Sequence, residues 1–263
     1  MNKTWIIVRK DWAEVFKNRF VLFTVAFLPL ILTALPLIIL YATRSTNDLG
    51  GFSSADMPAG FAALCREMSG GECVQYFIVS QFMLLFMLIP MAIPVTIASY
   101  SIVGEKTTRT LEPVLATPVT TFELLAGKAL AAAIPAVVVT WLGFAVFVVG
   151  TRVLSLSPNV VARLLDPLWL MAIFIVGPLL AVAAVSVTVM VSSRANDPRV
   201  AEQLSMLVIM PLLAALFGQI TGLFFINQTL ILWMAVGLVV IDSGLLALAT
   251  HIFQRETILT RWK

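Results

Sequence analysis

Six long apolar runs dominate this sequence and limit what it can fold into. They cover residues 20–42, 74–100, 122–150, 167–191, 204–225 and 229–251. An α-helix needs roughly 20 apolar residues to cross the hydrocarbon core of a bilayer, and it satisfies its own backbone hydrogen bonds there. We therefore predict an all-α integral membrane protein in which residues 20–263 form a single domain of six transmembrane helices.

The composition agrees with a membrane protein and argues against a nucleic-acid-binding one. Of the 263 residues, 60% are hydrophobic and 12% are charged, whereas in soluble domains about a quarter of the residues are charged. The net charge of +3 gives no nucleic-acid signal once the basic residues are sorted by side of the membrane. The first run is too long for a cleaved signal peptide, so we expect it to remain as a helix.

Lysine and arginine predict the orientation in the membrane. Basic residues in short loops are retained in the cytoplasm. Six spans place both termini on one side. Thirteen basic residues lie on that side, and four, Arg44, Arg66, Arg152 and Arg163, lie on the other. We expect both termini and the loop 101–121 to face the cytoplasm, in a protein of the cell membrane.

Residues 1–19 predict an amphipathic helix that lies along the inner leaflet. Apolar residues share one face and polar residues lie elsewhere: Trp5, Val8, Trp12, Val15 and Phe16 against Lys3, Arg9, Lys10, Asp11, Glu14 and Lys17. Tryptophans such as Trp5 and Trp12 favour headgroup depth, and basic residues such as Lys10 and Lys17 attract anionic lipid. The alternative, a positively charged anchor for the first span, puts the segment in the same location.

The first outer loop, 43–73, holds the two cysteines of the chain, Cys65 and Cys73, on either side of Gly70-Gly71. On an oxidising face of the membrane they can pair. Their separation of eight residues permits a bridge without proving one, because side-chain geometry decides it. A Cys65–Cys73 disulfide is therefore a prediction.

The loop between the second and third runs predicts a short helix that needs a partner. Thr110 can cap its first turn, Glu112 suits the positive end of the helix dipole, and Pro113 fits a position whose N–H is unpaired anyway. Three apolar residues follow one stripe, namely Leu111, Val114 and Leu115. So short a helix is unstable alone. Either the bundle itself or a groove on a partner protein must receive it, unless the segment is an ordinary capped loop.

The third run begins with a second helix-capping pattern. Thr120 and Glu123 have the spacing of a capping box, in which each side chain bonds the other residue's backbone N–H. We predict that this box starts the third span.

This region resembles the second type of ABC transporter permease, a family that includes sodium, drug, polysaccharide and lantibiotic-immunity exporters. The resemblance rests on Gly104-Glu105-Lys106, on residues 108–118, and on Glu123-Leu124-Leu125 followed by Gly127-Lys128. It implies that 105–118 is a coupling helix pressed into a groove of an ATPase subunit. The implied docking residues are Glu105, Arg109, Leu111, Glu112, Val114 and Leu115.

The resemblance also implies export and an assembly of two permeases with two ATPases, so that this chain pairs with a second copy of itself or with a related permease. The ATPase is expected on a separate chain, because no G-x-x-x-x-G-K-[ST] occurs here and Gly127-Lys128 is followed by Ala129. We accordingly expect no catalytic residue, metal or cofactor in this chain, with ATP and Mg²⁺ on the partner.

Asp242, a carboxylate inside the sixth run, is the basis of the main alternative function, ion-coupled secondary transport. An ionisable residue within a membrane helix is a functional candidate, although hydrogen bonding to a neighbouring helix is the plainer explanation. An ion-coupled secondary transporter using Asp242 has no need of a docking loop. A remote alternative, an intramembrane protease, would need Ser243 and His251 to meet, yet they lie eight residues apart on one helix.

Overall fold

The computed structural model describes residues 3–43, 70–108, 120–155, 158–224 and 226–252, and every regular element in them is helical. The α-helices are α1 (Lys3–Val15), α2 (Arg19–Thr43), α3 (Gly70–Phe86), α4 (Ile89–Thr107), α5 (Thr121–Leu154), α6 (Pro158–Leu164), α7 (Pro167–Met171), α8 (Gly177–Arg194), α9 (Pro198–Ser205), α10 (Met210–Ile220) and α11 (Gln228–Ile252). A π-helix, Ala172–Val176, joins α7 to α8, and a 3₁₀-helix, Met206–Ile209, joins α9 to α10.

Six helical segments in these ranges are long and apolar enough to cross a membrane, which confirms the six predicted spans by length and composition. They are Arg19–Thr43, Gly71–Thr107, Phe122–Leu154, Pro158–Arg194, Pro198–Ile220 and Gln228–Ala249. The second and fourth, at 37 residues each, are longer than predicted. They extend past the apolar run into polar turns, which hydropathy alone does not include.

Prolines mark the irregular turns within three of the spans. Proline donates no backbone hydrogen bond, and its ring crowds the preceding turn of a helix. Pro90 stands in the first turn of α4, just after the helix breaks at Met87 and Leu88. Pro178 follows the π-helix, and Pro211 follows the 3₁₀-helix. The second, fourth and fifth spans are therefore each built from pieces.

The second span is the centre of the described bundle. Of the residues in its apolar stretch, 83% are buried within the protein, against 11% in the sixth span. Helix α4 packs against α5 and α8, and α8 packs in turn against α11. Phe86 and Phe147, both almost fully buried, stack with ring centroids 6.4 Å apart where the second and third spans cross.

Helix α1 lies across one end of this bundle, on the beginning of α5 and the end of α4. We call this the α1 end. The end of α8 is there too, because Lys106 Nζ donates to the carbonyl oxygens of Ser193 and Ala195 at 3.4 and 3.0 Å. The two helices that lead into and out of the loop 109–119 thus meet beside α1.

Candidate functional site

A cluster of charged side chains lies buried at the α1 end, where α1, α4 and α5 meet. We call it the ionic cluster, and its members are Lys10, Asp11, Ser101, Glu105 and Lys128. Asp11 is 2% exposed, Lys128 4% and Glu105 5%. Lysine and acidic residues are almost never this buried unless they are paired, so the contacts within the cluster decide whether it is stable.

Lys128 is the hub of the ionic cluster. Its Nζ lies 2.7 Å from Glu105 Oε2, 3.3 Å from Asp11 Oδ2 and 2.9 Å from Ser101 Oγ. Ser101 in turn donates to Asp11 Oδ2 at 2.8 Å. Ser101 and Glu105 are four residues apart on α4 and so project from one face of the helix. A single ammonium group on α5 therefore holds side chains from both α1 and α4.

Lys10, on the accessible side of the ionic cluster, supplies its second positive charge. It pairs with the other oxygen of Glu105 and with Glu14 at 3.7 Å. Partial burial works to lower the pKa of Lys10. The hydrogen bond to Glu105 and the charges of Glu105, Glu14 and Asp11 outweigh that burial and raise the pKa above the usual lysine value. Two carboxylates, Asp11 and Glu105, thus face two ammonium groups.

Close packing fixes α1 against α5 beside the cluster. Trp12 Nε1 donates to the carbonyl oxygen of Ala131 at 2.8 Å. A Cβ atom added to Gly127 would lie 2.8 Å from Ile7 Cβ, closer than real Cβ contacts. Gly127 therefore allows the backbone of α5 to approach α1, and that approach puts Asp11 within reach of Lys128.

The inner face of α1 differs from the expected one. The pattern placed Asp11 on the polar side, which is wrong: Asp11 shares the buried face with Ile7, Val8 and Val15. Of the residues expected at the lipid surface, Lys10 and Trp12 bond within the protein, while Lys17 is exposed and Trp5 is 49% exposed. The interfacial position of α1 remains a prediction.

Most of the expected docking surface lies outside the described residues: Arg109, Leu111, Glu112, Val114 and Leu115. Glu105 is described, and its side chain points into the ionic cluster. The capping box is confirmed, because Glu123 N donates to Thr120 Oγ1 at 3.2 Å and Thr120 N donates to Glu123 Oε2 at 2.8 Å. At the other side of the loop, α4 ends at Thr107.

A cavity of about 370 Å³ opens between α1, α4 and the start of α9. It reaches the end of α4 at Thr108, where the loop begins. Its lining includes two acidic residues of the α1 end, Glu14 and Glu105, and is completed by Val15, Asn18, Tyr100, Ser101, Gly104, Thr108 and Pro198. Glu105, which is paired with Lys128, thus also borders an accessible space.

The remaining candidates are not members of the ionic cluster. Cys73 is buried in the first turns of α3, but Cys65 lies outside the described residues, so the disulfide remains a prediction. Asp242 is 5% exposed on α11. Ser243 Oγ donates to the carbonyl oxygen of Val239 at 2.7 Å, and the His251 side chain is not among those described. In the described part of the chain, no group of three His, Cys, Asp or Glu residues is placed to hold a metal ion.

Sequence reasoning missed the pairing of Asp11 and Lys128 with each other. Lys128 lies near the start of a long apolar run, and an ionisable residue in such a run signals a buried partner. The sequence therefore indicated that Lys128 has a buried partner. It did not indicate which residue the partner is, because Asp11 is 117 residues away in the sequence.

One comparison with known proteins identifies the chain. The family described as ABC-2 family transporter protein matches residues 5–253, which is nearly the whole sequence. Among curated proteins, no sequence matches this chain. The chain therefore belongs to the ABC-2 transporter family, and it is a multi-pass membrane protein of the permease type, the membrane-spanning subunit of an ABC transporter.

Proposed function

We propose that this permease exports its substrate from the cytoplasm and that a separate ABC ATPase drives it by docking on the loop 105–118. In this proposal both termini and the α1 end face the cytoplasm of a cell membrane, and ATP and Mg²⁺ bind to the partner. The observation that carries the proposal is the ionic cluster, because it connects both helices that border the loop.

The connection has a mechanical consequence. A force on the loop acts on the end of α4 and on the start of α5. Glu105 and Lys128 join these two helices by a buried ion pair, and Asp11 joins them to α1. Breaking a buried pair costs about 3–5 kcal/mol, so the three helix ends move together. Helix α4 belongs to the second span, the most buried of the six, so such a motion reaches the centre of the bundle.

The docking residues divide into two groups on this proposal. Leu111, Val114 and Leu115 pack into the groove of the ATPase, with Arg109 and Glu112 beside them. Glu105 is buried and paired within the permease, so we assign it to transmission of the motion. Burial of three apolar side chains stabilises docking by several kcal/mol before ordering costs.

A second permease subunit, either another copy of this chain or a related one, completes the proposed pathway. Broad apolar faces support such a partner together with lipid. The exposed residues include Leu30 on α2, Leu142 on α5 and Trp233 on α11. The substrate pathway then runs between the two permeases.

Docking is tested by replacing Leu111 and Leu115 together with Asp and purifying the permease with its ATPase. We expect the double variant to lose co-purification and stimulated ATP hydrolysis, while melting like wild type. Ala13→Asp, which adds a charge at an exposed position of α1 outside the loop, is the matched control and should retain both. If the double variant binds and stimulates the ATPase, the docking assignment is wrong; if it unfolds, the loop packs on its own bundle.

An ion-coupled secondary transporter remains the alternative, and the buried Asp242 is the observation that favours it. Such a carrier moves its substrate in vesicles that contain no ATPase. Transport by purified permease alone, abolished in Asp242→Asn, would establish that alternative.

A further inference from the structure

Asp242 lies on the one packed stripe of α11. The buried residues of this helix recur along one side, at Ile231, Ala235, Asp242 and Ala249, and α11 packs mainly against α8. The other side carries Trp233, 72% exposed, and Val240, 68% exposed. Lipid or a second subunit covers this exposed side, and the contacts that Asp242 makes within the chain are those of the packed stripe.

Neither carboxylate oxygen of Asp242 has a hydrogen-bond partner in the described residues, and the same is true of Ser186 Oγ on α8. Gln228 Nε2, at the start of α11, contacts Met171 Sδ at 3.8 Å, so these two residues lie near one level of the bundle. The two spans run in the same direction and rise about 1.5 Å per residue. Asp242 therefore lies within about one turn of the level of Ser186, and both polar side chains are buried at one depth.

No charged group in the described structure neutralises this carboxylate. The elements that pack most against α11 are α8, the π-helix, α7 and α5. Helix α8 carries Arg194, which is exposed and lies about 14 Å further along the axis. The charged residues of α5 are Glu123, Lys128 and Arg152, and Lys128 is held in the ionic cluster. The π-helix and α7 carry none.

An ionised aspartate in such a place costs a few kcal/mol, and buried groups without a partner call for a specific explanation. A proton removes the charge and needs no additional space between the helices. We propose that Asp242 is a proton-binding site of the permease. The carboxyl group is neutral while α8 and α11 are packed together. It gives its proton to water when these spans separate, and it takes a proton back from water when they close.

This site is independent of the proposed docking of an ATPase, and its test needs neither an ATPase nor a substrate. Infrared spectra of purified permease at neutral pH should contain the carbonyl band of a protonated carboxyl group. Asp242→Asn, a neutral side chain of the same shape, should lose that band. The matched control Asp197→Asn, at the exposed N-cap of α9, should retain it. Labelling wild-type aspartate with ¹³C at the carboxyl carbon should shift the band, whether or not Asp242→Asn folds.

Two results would overturn the proposal. If the wild-type protein shows no protonated aspartate band at neutral pH, Asp242 is ionised in the closed bundle. If sodium chloride raises the melting temperature above that in choline chloride, and Asp242→Asn abolishes the difference, the site holds a metal cation instead of a proton.

Discussion

Replacing Lys128 by Met removes the hub of the ionic cluster and tests whether it holds α1 in place. The variant keeps the length of the side chain but leaves Asp11 and Glu105 facing only one ammonium group, that of Lys10. Asp11 then retains a single hydrogen bond, from Ser101. Removing one partner of a buried pair costs about 3–5 kcal/mol. At about 2–4 °C per kcal/mol for a chain of this size, the melting temperature should fall by about 6–20 °C.

A double variant identifies the cause of that loss. Adding Asp11→Asn to Lys128→Met removes the unpaired carboxylate and leaves Glu105 with Lys10. The double variant should therefore be more stable than Lys128→Met alone, with a coupling of about 0.5–3 kcal/mol. Lys17→Met, at an exposed position, is the matched control and should change stability by less than about 0.5 kcal/mol.

Thermal unfolding in detergent measures these stabilities, and limited digestion with trypsin reports on α1 directly. In Lys128→Met the sites at Lys3, Arg9 and Lys10 should be cut faster than in wild type. A variant that melts and digests like wild type would show that the cluster contributes nothing. A double variant no more stable than Lys128→Met would show that the unpaired carboxylate is not the cause.

Three further predictions follow from the packing and from the sequence. Gly127→Val should destabilise the protein by about 1–3 kcal/mol, because Ile7 leaves no space for the added atoms. Gly104→Ala should not, since no atom lies within 4 Å of the added Cβ. Equal effects of the two variants in thermal unfolding would contradict the close approach of α1 to α5. Mass spectrometry of unreduced peptides should find Cys65 linked to Cys73, and two alkylatable thiols would disprove the bridge. In a background without native cysteines, an impermeant thiol reagent should label Ser157→Cys from outside intact cells but not Thr107→Cys, and the reverse pattern would invert the orientation.

The spans were predictable because each is a local property of the sequence. A run of about 20 apolar residues suffices to predict a membrane helix, and all six runs are helical spans by length and composition. The irregular turns beside Pro90, Pro178 and Pro211 were less predictable, because Pro29, Pro36 and Pro135 lie within continuous helices. A proline alone does not say whether a helix continues, breaks or forms a π-turn or a 3₁₀-turn, because the neighbouring helices decide that.

The ionic cluster was less predictable because it depends on contacts between distant residues. The pattern of α1 puts Val8 and Val15 on the buried face, but it leaves out Ile7 and puts every charged residue on the outside, so Asp11 was misplaced. Glu105 was singled out by resemblance, but its inward direction depends on Lys10 and Lys128. The capping box of Thr120 and Glu123 was predicted correctly because its partners are three residues apart.

The most direct test of the proposed function is photo-crosslinking from the loop in native membranes. p-Benzoylphenylalanine placed at position 114 should form a product with a second polypeptide whose sequence contains G-x-x-x-x-G-K-[ST], identified by mass spectrometry. The same residue placed at position 30, which is 64% exposed on α2 as Leu30, should not. An ATPase crosslinked at position 114 alone is the result we predict. Crosslinks from position 114 only to the permease's own helices would contradict the proposal that this loop docks an ATPase.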